Sequence, residues 1–362
     1  MTARFRLPAE WEPQAAVVIA WPNAGTDWAA RLDRIETAYV ALAAAIARFE
    51  PLLICVADAQ VRERASSLLV TGGVDAARVH FIEVPYDDTW LRDSGPLTLA
   101  DGAEFCLVDF RFTGWGGKFE GGRDDRLVEA MIERGIFHAS THRRIDWALE
   151  GGAIESDGKG TILTTWRCLH QRHPDLPRED MSARLVDAFD AERVLWLDYG
   201  YLEGDDTDAH IDTLARFAPD DAIVFQTCDD PADPHHAELG RMQEEIANLR
   251  TADGRPYRLH RLPWPRAIVD EGRRLASSYA NYLIVNGAVL MPAYGDVADV
   301  VAARIIASAH PGREVVLIDA RPLIWQNGSV HCLTMQLPAG AVAMVDPPTQ
   351  VDASTGPIIS IR

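Results

Sequence analysis

Five stretches of the chain repeat one pattern: a run of apolar and β-branched residues, a turn, and a second such run. They are GPLTLADGAEFCLVDFRF (95–112), GGAIESDGKGTILTTW (151–166), HIDTLARFAPDDAIVFQ (210–226), SYANYLIVNGAVLMPAY (278–294) and HCLTMQLPAGAVAMV (331–345). Turn-forming pairs interrupt each run: Asp101-Gly102, Asp157-Gly158, Asp220-Asp221, Asn286-Gly287 and Ala339-Gly340. Between hairpins, apolar residues fall at helical spacing, as in RLVEAMIERG, SARLVDAF, ELGRMQEEIANLR and ADVVAARIIASA, and single strands follow, such as VLWLD and REVVLID. The unit is hairpin, helix, strand. The N-terminal stretch AVVIAWP…RLDRIETAYVALAAAIARF…LLICVA supplies the piece that closes the count. One such match is common in α/β proteins. Five at comparable spacing predict an α/β fold with internal five-fold pseudosymmetry, one domain over 1–362 rather than two.

Composition narrows the class. The 362 residues are 48% apolar and 25% charged, which is globular rather than disordered or fibrous. The longest apolar runs, AAVVIA and LLICVA, are too short to span a bilayer. The opening MTARFRLPAEWEP has no apolar core of a secretory signal. Five widely spaced cysteines with no CxxC pair fit a reducing compartment, so a cytoplasmic location is expected, with no disulfide framework and no zinc cluster. A net charge of −19 opposes nucleic acid and anionic membrane surfaces and favours a small cationic ligand.

The unusual polar residues stand at equivalent places in the repeat. Arg92-Asp93 precedes the first hairpin, Glu150 the second, His210 opens the third, Tyr279 and Asn281 the fourth, and Cys332 the fifth. In a pseudosymmetric ring these positions face one axis, so a carboxylate pair, a histidine and a cysteine converge as a nucleophilic catalytic set. Each piece has a blander reading. Cysteine is often a buried hydrophobe, Glu150 an ordinary surface-turn glutamate, and Asp93 a partner for Arg92 at a turn. Asp206, Asp208, His210 and Asp212 alternate, and an extended strand would put all four on one face. A solvated edge, a hard-cation site and a catalytic histidine oriented by Asp212 compete there, and the catalytic reading ranks first. His331 points away from Cys332 if the segment is extended, which favours a structural role. Cys168 lies near His170 and His173 but lacks a clear third partner for zinc. Cys106 and Cys228 read as core or edge. Trp90, Trp115 and Trp325 more often fill core than stack on substrate, although Trp115-Gly116-Gly117 suggests a loop of close backbone approach.

Taken in order, WLRDSGP, DFRFTGWGGK, EGGAIESDGKGTILTT, HIDTLARF, SYANYLIVN and GSVHCLTMQ resemble the agmatine deiminase and bacterial peptidyl-arginine deiminase-like family of guanidine-modifying enzymes, over about Trp11 to Pro338. The resemblance implies a pentein fold, a five-bladed α/β propeller of ββαβ units. It also implies roles. Cys332 of GxxHC matches the nucleophile, His210 and Asp212 match the HxD pair, and Asp93 and Glu150 match the guanidinium-binding carboxylates. Trp90 and Trp115 complete the expected substrate-binding set. Leu91, Ala209, CLHQRHPDLP from Cys168 and the short QNGSV loop depart from the family pattern and bear on the substrate's distal end. The implied reaction is hydrolysis of agmatine to N-carbamoylputrescine and ammonia through a cysteine thiouronium, with no metal or organic cofactor. Deimination of arginine or peptidyl-arginine, other guanidine hydrolases and amidinotransferases are the alternatives, and a non-catalytic pentein binding protein is a distant third. The expected partner is a small cationic guanidine, with no nucleic acid and no membrane; a homodimer is left open.

Overall fold

Strand pairs of the first four hairpins meet across the predicted turns because each turn holds residues that take a positive φ. Gly102, Gly158 and Gly287 have positive φ, as do Asp220 and Asp221. The computed structural model describes residues 5–138 and 140–343 and, for backbone alone, 359–360.

Five of its sheets share one plan. The first joins Leu97–Asp101, Glu104–Arg111 and Ser140–Ala148; the second, Ile154–Ser156, Thr161–Thr165 and Arg193–Leu197. The third joins Ala215–Ala218, Ala222–Gln226 and Arg258–Leu262; the fourth, Leu283–Val285, Ala288–Ala293 and Glu314–Asp319. In each, strands one and two run antiparallel, while two and three run parallel. A parallel pair needs a crossover, and a helix supplies it: Leu127–Glu133, Arg178–Phe189, His236–Asn248 and Ala298–Ala309 in turn.

The fifth sheet departs from the expected hairpin at 331–345. Thr334–Pro338 pairs antiparallel with Gln14–Ala20, which pairs parallel with Leu52–Val56 across the helix Leu32–Ala47. The two ends of the chain thus build one blade together. After Pro338 the chain turns at Gly340 (φ 87°), and Val342 bridges to Phe137 beside the first blade. The rest of the expected second strand, Met344 and Val345, lies outside the described residues.

Neighbouring blades touch all the way round. Ser278 Oγ of the fourth donates to the Thr213 carbonyl of the third at 2.6 Å, and Gln14 Nε2 of the fifth donates to the Ile284 carbonyl of the fourth at 2.9 Å. The turns opening the first three blades pack on one another, and the first also packs against Thr334–Pro338. This is the predicted five-bladed pentein ring. Three of its middle strands, QAAVVIA, AIVFQ and AVLMPA, are buried throughout and apolar in nearly every position, as strands covered on both faces must be. Among the described residues no helix is long and apolar enough to cross a membrane.

Candidate active site

Each blade is entered through a tight turn, and the reactive side chains sit on those turns. Leu91–Ser94 carries Asp93, Gly151–Ala153 follows Glu150, and Ile211–Thr213 follows His210 and contains Asp212. Asn281 ends the turn before the fourth blade, and Cys332 the turn before the fifth. Asp93, Glu150, His210, Asp212 and Cys332 are 0–6% exposed. The surface-turn reading of Glu150 is therefore wrong.

The five side chains converge. His210 Nδ1 lies 3.6 Å from Asp93 Oδ1 and Nε2 lies 3.5 Å from Glu150 Oε2, while Cys332 Sγ faces Asp212 Oδ2 at 3.5 Å. Asn281 Nδ2 donates to the sulfur at 3.1 Å, and its Oδ1 accepts from the Cys332 backbone N–H at 3.3 Å. Gly152 shows how tightly they meet: a Cβ there would stand 2.7 Å from His210 Nδ1, 2.8 Å from Asp93 Oδ1 and 3.2 Å from Asp212 Oδ2. Within this cluster both His210 nitrogens, Glu150 Oε2 and Asp212 Oδ1 are buried without a hydrogen-bond partner. Buried polar atoms are ordinarily paired, and orphans gathered in one place mark where a ligand supplies the missing partners.

Several expectations are corrected. Asp206, Asp208, His210 and Asp212 do not form a strand face. Asp208 (φ 67°) and Ala209 (φ 73°) reverse the chain while Asp205 accepts from the Thr207 and Ala209 N–H groups, a local turn that competes with strand pairing. Asp208 points instead to Lys118 Nζ at 2.6 Å and Arg172 Nη1 at 2.7 Å, so neither Asp205 nor Asp208 is a free anion. Arg92 does not pair with Asp93. It turns behind the site toward Glu10, 3.7 Å away, and the His331 carbonyl. His331 does not face away from Cys332 either, because the turn brings its Nδ1 to the same Asp212 Oδ2, at 2.7 Å.

The two tryptophans divide. Trp115 Nε1 donates to Asp93 Oδ2 at 2.8 Å, whereas Trp90 stacks near Trp28 and leaves no space for a side chain on Gly328. The Trp115 loop is strained: Gly114, Trp115, Gly116 and Gly117 have consecutive φ values of 61°, 55°, 83° and 83°. A bulky residue in that region costs of order 1–3 kcal/mol. Lys118 tethers the same loop, donating to the Asp206 carbonyl at 2.6 Å.

Two residues at the site escape the sequence pattern. Cys168 lies beside His210 rather than with His170 and His173, whose rings stack on Trp166 and Trp147. Arg172 is buried and donates from Nε to Glu150 Oε1 at 2.7 Å. Glu150, Cys168 and His210 offer ligand atoms within 4.8 Å of one another, a spacing a metal would accept, but Arg172 already brings positive charge to that carboxylate. Asn281 joins the site as its place opening the fourth hairpin predicts.

Charges are set by this crowding. Burial opposes a proton on His210, but Asp93, Cys168 and Glu150 outweigh it and hold its pKa well above the ordinary histidine value. Burial, Asp212 and Asp93 push the Cys332 thiol well above its ordinary value. Burial, only partly offset by His210, also lifts Asp93 to about 6, while Glu150, despite burial, is held at about 2 by His210 and Arg172. The site thus holds an imidazolium, a thiol and three carboxylates, an arrangement that suits a planar cation.

Comparison with known proteins fits that chemistry. The sequence profile of the Porphyromonas-type peptidyl-arginine deiminases matches residues 6–338, and the chain belongs to that family. Agmatine deiminase of Pseudomonas putida strain KT2440 is 35% identical, covering 92% of this chain and 96% of its own. A Porphyromonas gingivalis structure, provisionally described as an arginine deiminase, is 43% identical with a TM-score of 0.87, covering 93% of this chain and 99% of its own. A C. jejuni agmatine deiminase, solved with a cysteine-to-serine substitution and substrate bound, is 29% identical with a TM-score of 0.84, covering 93% of this chain and 97% of its own.

Proposed function

We propose that the chain is a single-domain cytoplasmic agmatine deiminase, converting agmatine and water to N-carbamoylputrescine and ammonia. The observation that carries this is the enclosed cluster in which Asp93, Glu150 and Asp212 surround His210 and the Cys332 thiol with buried lone pairs unmet. A guanidinium is planar, carries N–H groups along each edge, and supplies the charge and donors that these carboxylates lack. Its arrival also offsets the anionic field that keeps Cys332 protonated, so the thiolate forms with substrate in place.

As the guanidinium enters, the Cys332 thiol gives up its proton to solvent, and the sulfur forms a bond to the guanidinium carbon while one C–N π pair moves onto nitrogen. His210 gives its proton to one terminal nitrogen, whose bond to carbon breaks, and ammonia leaves. Water then attacks the thiouronium carbon as His210 takes a proton from it. The C–S bond breaks with its electron pair returning to sulfur, and the remaining hydroxyl proton passes to that thiolate, leaving the ureido product and the free Cys332 thiol.

Agmatine is favoured over arginine because, among the described residues, the candidate cations for an α-carboxylate are already paired. Arg92 is committed behind the site, Arg111 pairs with exposed Asp146 at 3.1 Å, and Lys118 and Arg172 share Asp208. A surface of −19 adds attraction for a dication, an effect screened over roughly 8–10 Å at physiological ionic strength. Ammonia release from agmatine, arginine, methylated arginines and arginyl peptides tests the reading. The expected kcat/KM for agmatine is on the order of a hundredfold above that for arginine, about 2.7 kcal/mol. A value for arginine equal to or above it overturns the substrate assignment.

Gly152 supplies a second test. Gly152→Ala forces a methyl group against His210 and Asp93, and overpacking of this kind costs about 1–3 kcal/mol. The expected result is a kcat/KM at least about tenfold lower, measured on agmatine. An alanine variant with unchanged kinetics would remove His210 and Asp93 from the reacting centre.

A further inference from the structure

A chain of buried charges stands behind the site and takes no part in the steps above. Arg216, in the first strand of the third blade, donates from Nη2 to Glu10 Oε2 at 2.8 Å and from Nε to Glu155 Oε1 at 2.6 Å. The same Glu10 oxygen lies 2.7 Å from His331 Nε2, and His331 Nδ1 lies 2.7 Å from Asp212 Oδ2. That last oxygen is the one facing Cys332 Sγ at 3.5 Å. All of these residues are buried. A carboxylate oxygen thus stands at each ring nitrogen of His331.

We propose that His331 is a positioning residue: braced by Glu10 and Arg216, it engages Asp212 Oδ2 and leaves Oδ1 facing the bound guanidinium. It touches neither substrate nor the reacting atoms. The identity of the cation rests on the deiminase reading; the geometry of the brace does not.

The physical case has two parts. An aspartate carboxylate rotates in a broad, roughly two-fold well, so one fixed N–H decides which oxygen is spent and which is offered. The orphaned atom is Oδ1, the oxygen His331 does not use. The second part is charge. Asp212 is faced by Asp93 and Arg92 from the Leu91–Ser94 turn, by His210 on its own turn, by Arg216 from the adjoining strand, and by His331 and Cys332 from the fifth blade. Asp93, equally buried among the same groups, rises to about 6, whereas Asp212 is held below the ordinary carboxylate range against burial, chiefly by His331. Removing His331 therefore raises the Asp212 pKa, and binding of a guanidinium is lost from the acid side first.

Steady-state kinetics on agmatine from about pH 5 to 9 for wild type, His331→Ala and Glu10→Gln test this, with calorimetric binding of agmatine to each in a Cys332→Ser background. In His331→Ala, KM and the calorimetric Kd should rise at least about tenfold near pH 6.5 while kcat falls much less. The acid limb of kcat/KM should move up by a pH unit or more, and the difference from wild type should narrow toward pH 9. Glu10→Gln should move the limb the same way by a smaller amount. A folded His331→Ala protein with wild-type KM and an unmoved acid limb overturns the proposal, as does loss of kcat at every pH with KM unchanged. If His331→Ala does not fold, Glu10→Gln decides alone: an unmoved limb rejects the brace. If wild type ignores agmatine but turns over another guanidine, the substrate reading fails and the same measurements on that guanidine decide this one. Without any turnover, guanidinium chloride is the calorimetric probe, and unchanged binding in the variants overturns it.

Discussion

Replacing Cys332 by serine lowers kcat by a factor on the order of 10⁴–10⁶, the range for losing a nucleophile that acts as part of a unit, and leaves folding intact. Serine is close to isosteric and its hydroxyl can still accept from Asn281 Nδ2, now 3.1 Å from the sulfur. It cannot reproduce the thiolate. The guanidinium carbon is a resonance-stabilised, weak electrophile, and an alcohol beside three carboxylates has no route to its anion near neutral pH. A rival thiol makes the experiment informative. Cys168 is also buried and within 4.8 Å of His210 and Glu150 ligand atoms. Two features favour Cys332: an amide donor on the sulfur, and Asp212 at 3.5 Å on the side where the guanidinium binds. Cys168→Ser should therefore keep turnover, and mass spectrometry of a trapped adduct should place it on the peptide containing Cys332. Ammonia release by Cys332→Ser above a blank, or an adduct on Cys168, moves the nucleophile elsewhere.

The hairpins were legible because their turns need residues that tolerate positive φ and their middle strands are covered on both faces. Neither condition holds for two of the outer strands. Ser140–Ala148 and Arg258–Leu262 are largely polar and exposed, so STHRRIDWA and RLHRL carry no strand alternation. The fifth blade misled for a topological reason: Thr334–Pro338 pairs with Gln14–Ala20 from the far end of the chain, a partner that only ring closure brings near. The reactive residues could be read from their place in the repeat, since equivalent turns face one axis. Their supports could not. Glu10 meets His331 across 321 positions, and Arg172 reaches Glu150 from a helix whose sequence, WRCLHQR, announces no site. Alternation at Asp206, Asp208, His210 and Asp212 imitated a strand because side chain–backbone bonds from Asp205 impose a turn that periodicity does not encode.

Glu150→Gln and Asp93→Asn should each lower kcat/KM by about 2–5 kcal/mol, roughly 30- to 4,000-fold, the range for removing one member of a buried charge pair. The two losses have different local causes. Glu150 Oε1 is fixed by Arg172 Nε at 2.7 Å, which leaves Oε2, 3.5 Å from His210 Nε2, to act in the site. Glutamine can still accept from Arg172, but then points its amide N–H₂ at the histidine and offers a cation a donor instead of an acceptor. Asp93 already accepts from the Gly152 N–H at 3.0 Å and from Trp115 Nε1 at 2.8 Å. Asparagine must turn its donor toward one of them, so the Trp115 loop loosens as well. Both carboxylates also raise the His210 pKa. Removing either lowers it, so the imidazolium that protonates departing ammonia is lost at a lower pH, and the alkaline limb of kcat moves down. Kinetics across pH separate these roles from a structural one. Near wild-type kcat/KM in either variant means that carboxylate does not grip the guanidinium. A lowered melting temperature with unchanged kinetics per folded molecule and an unmoved alkaline limb means it only holds the fold.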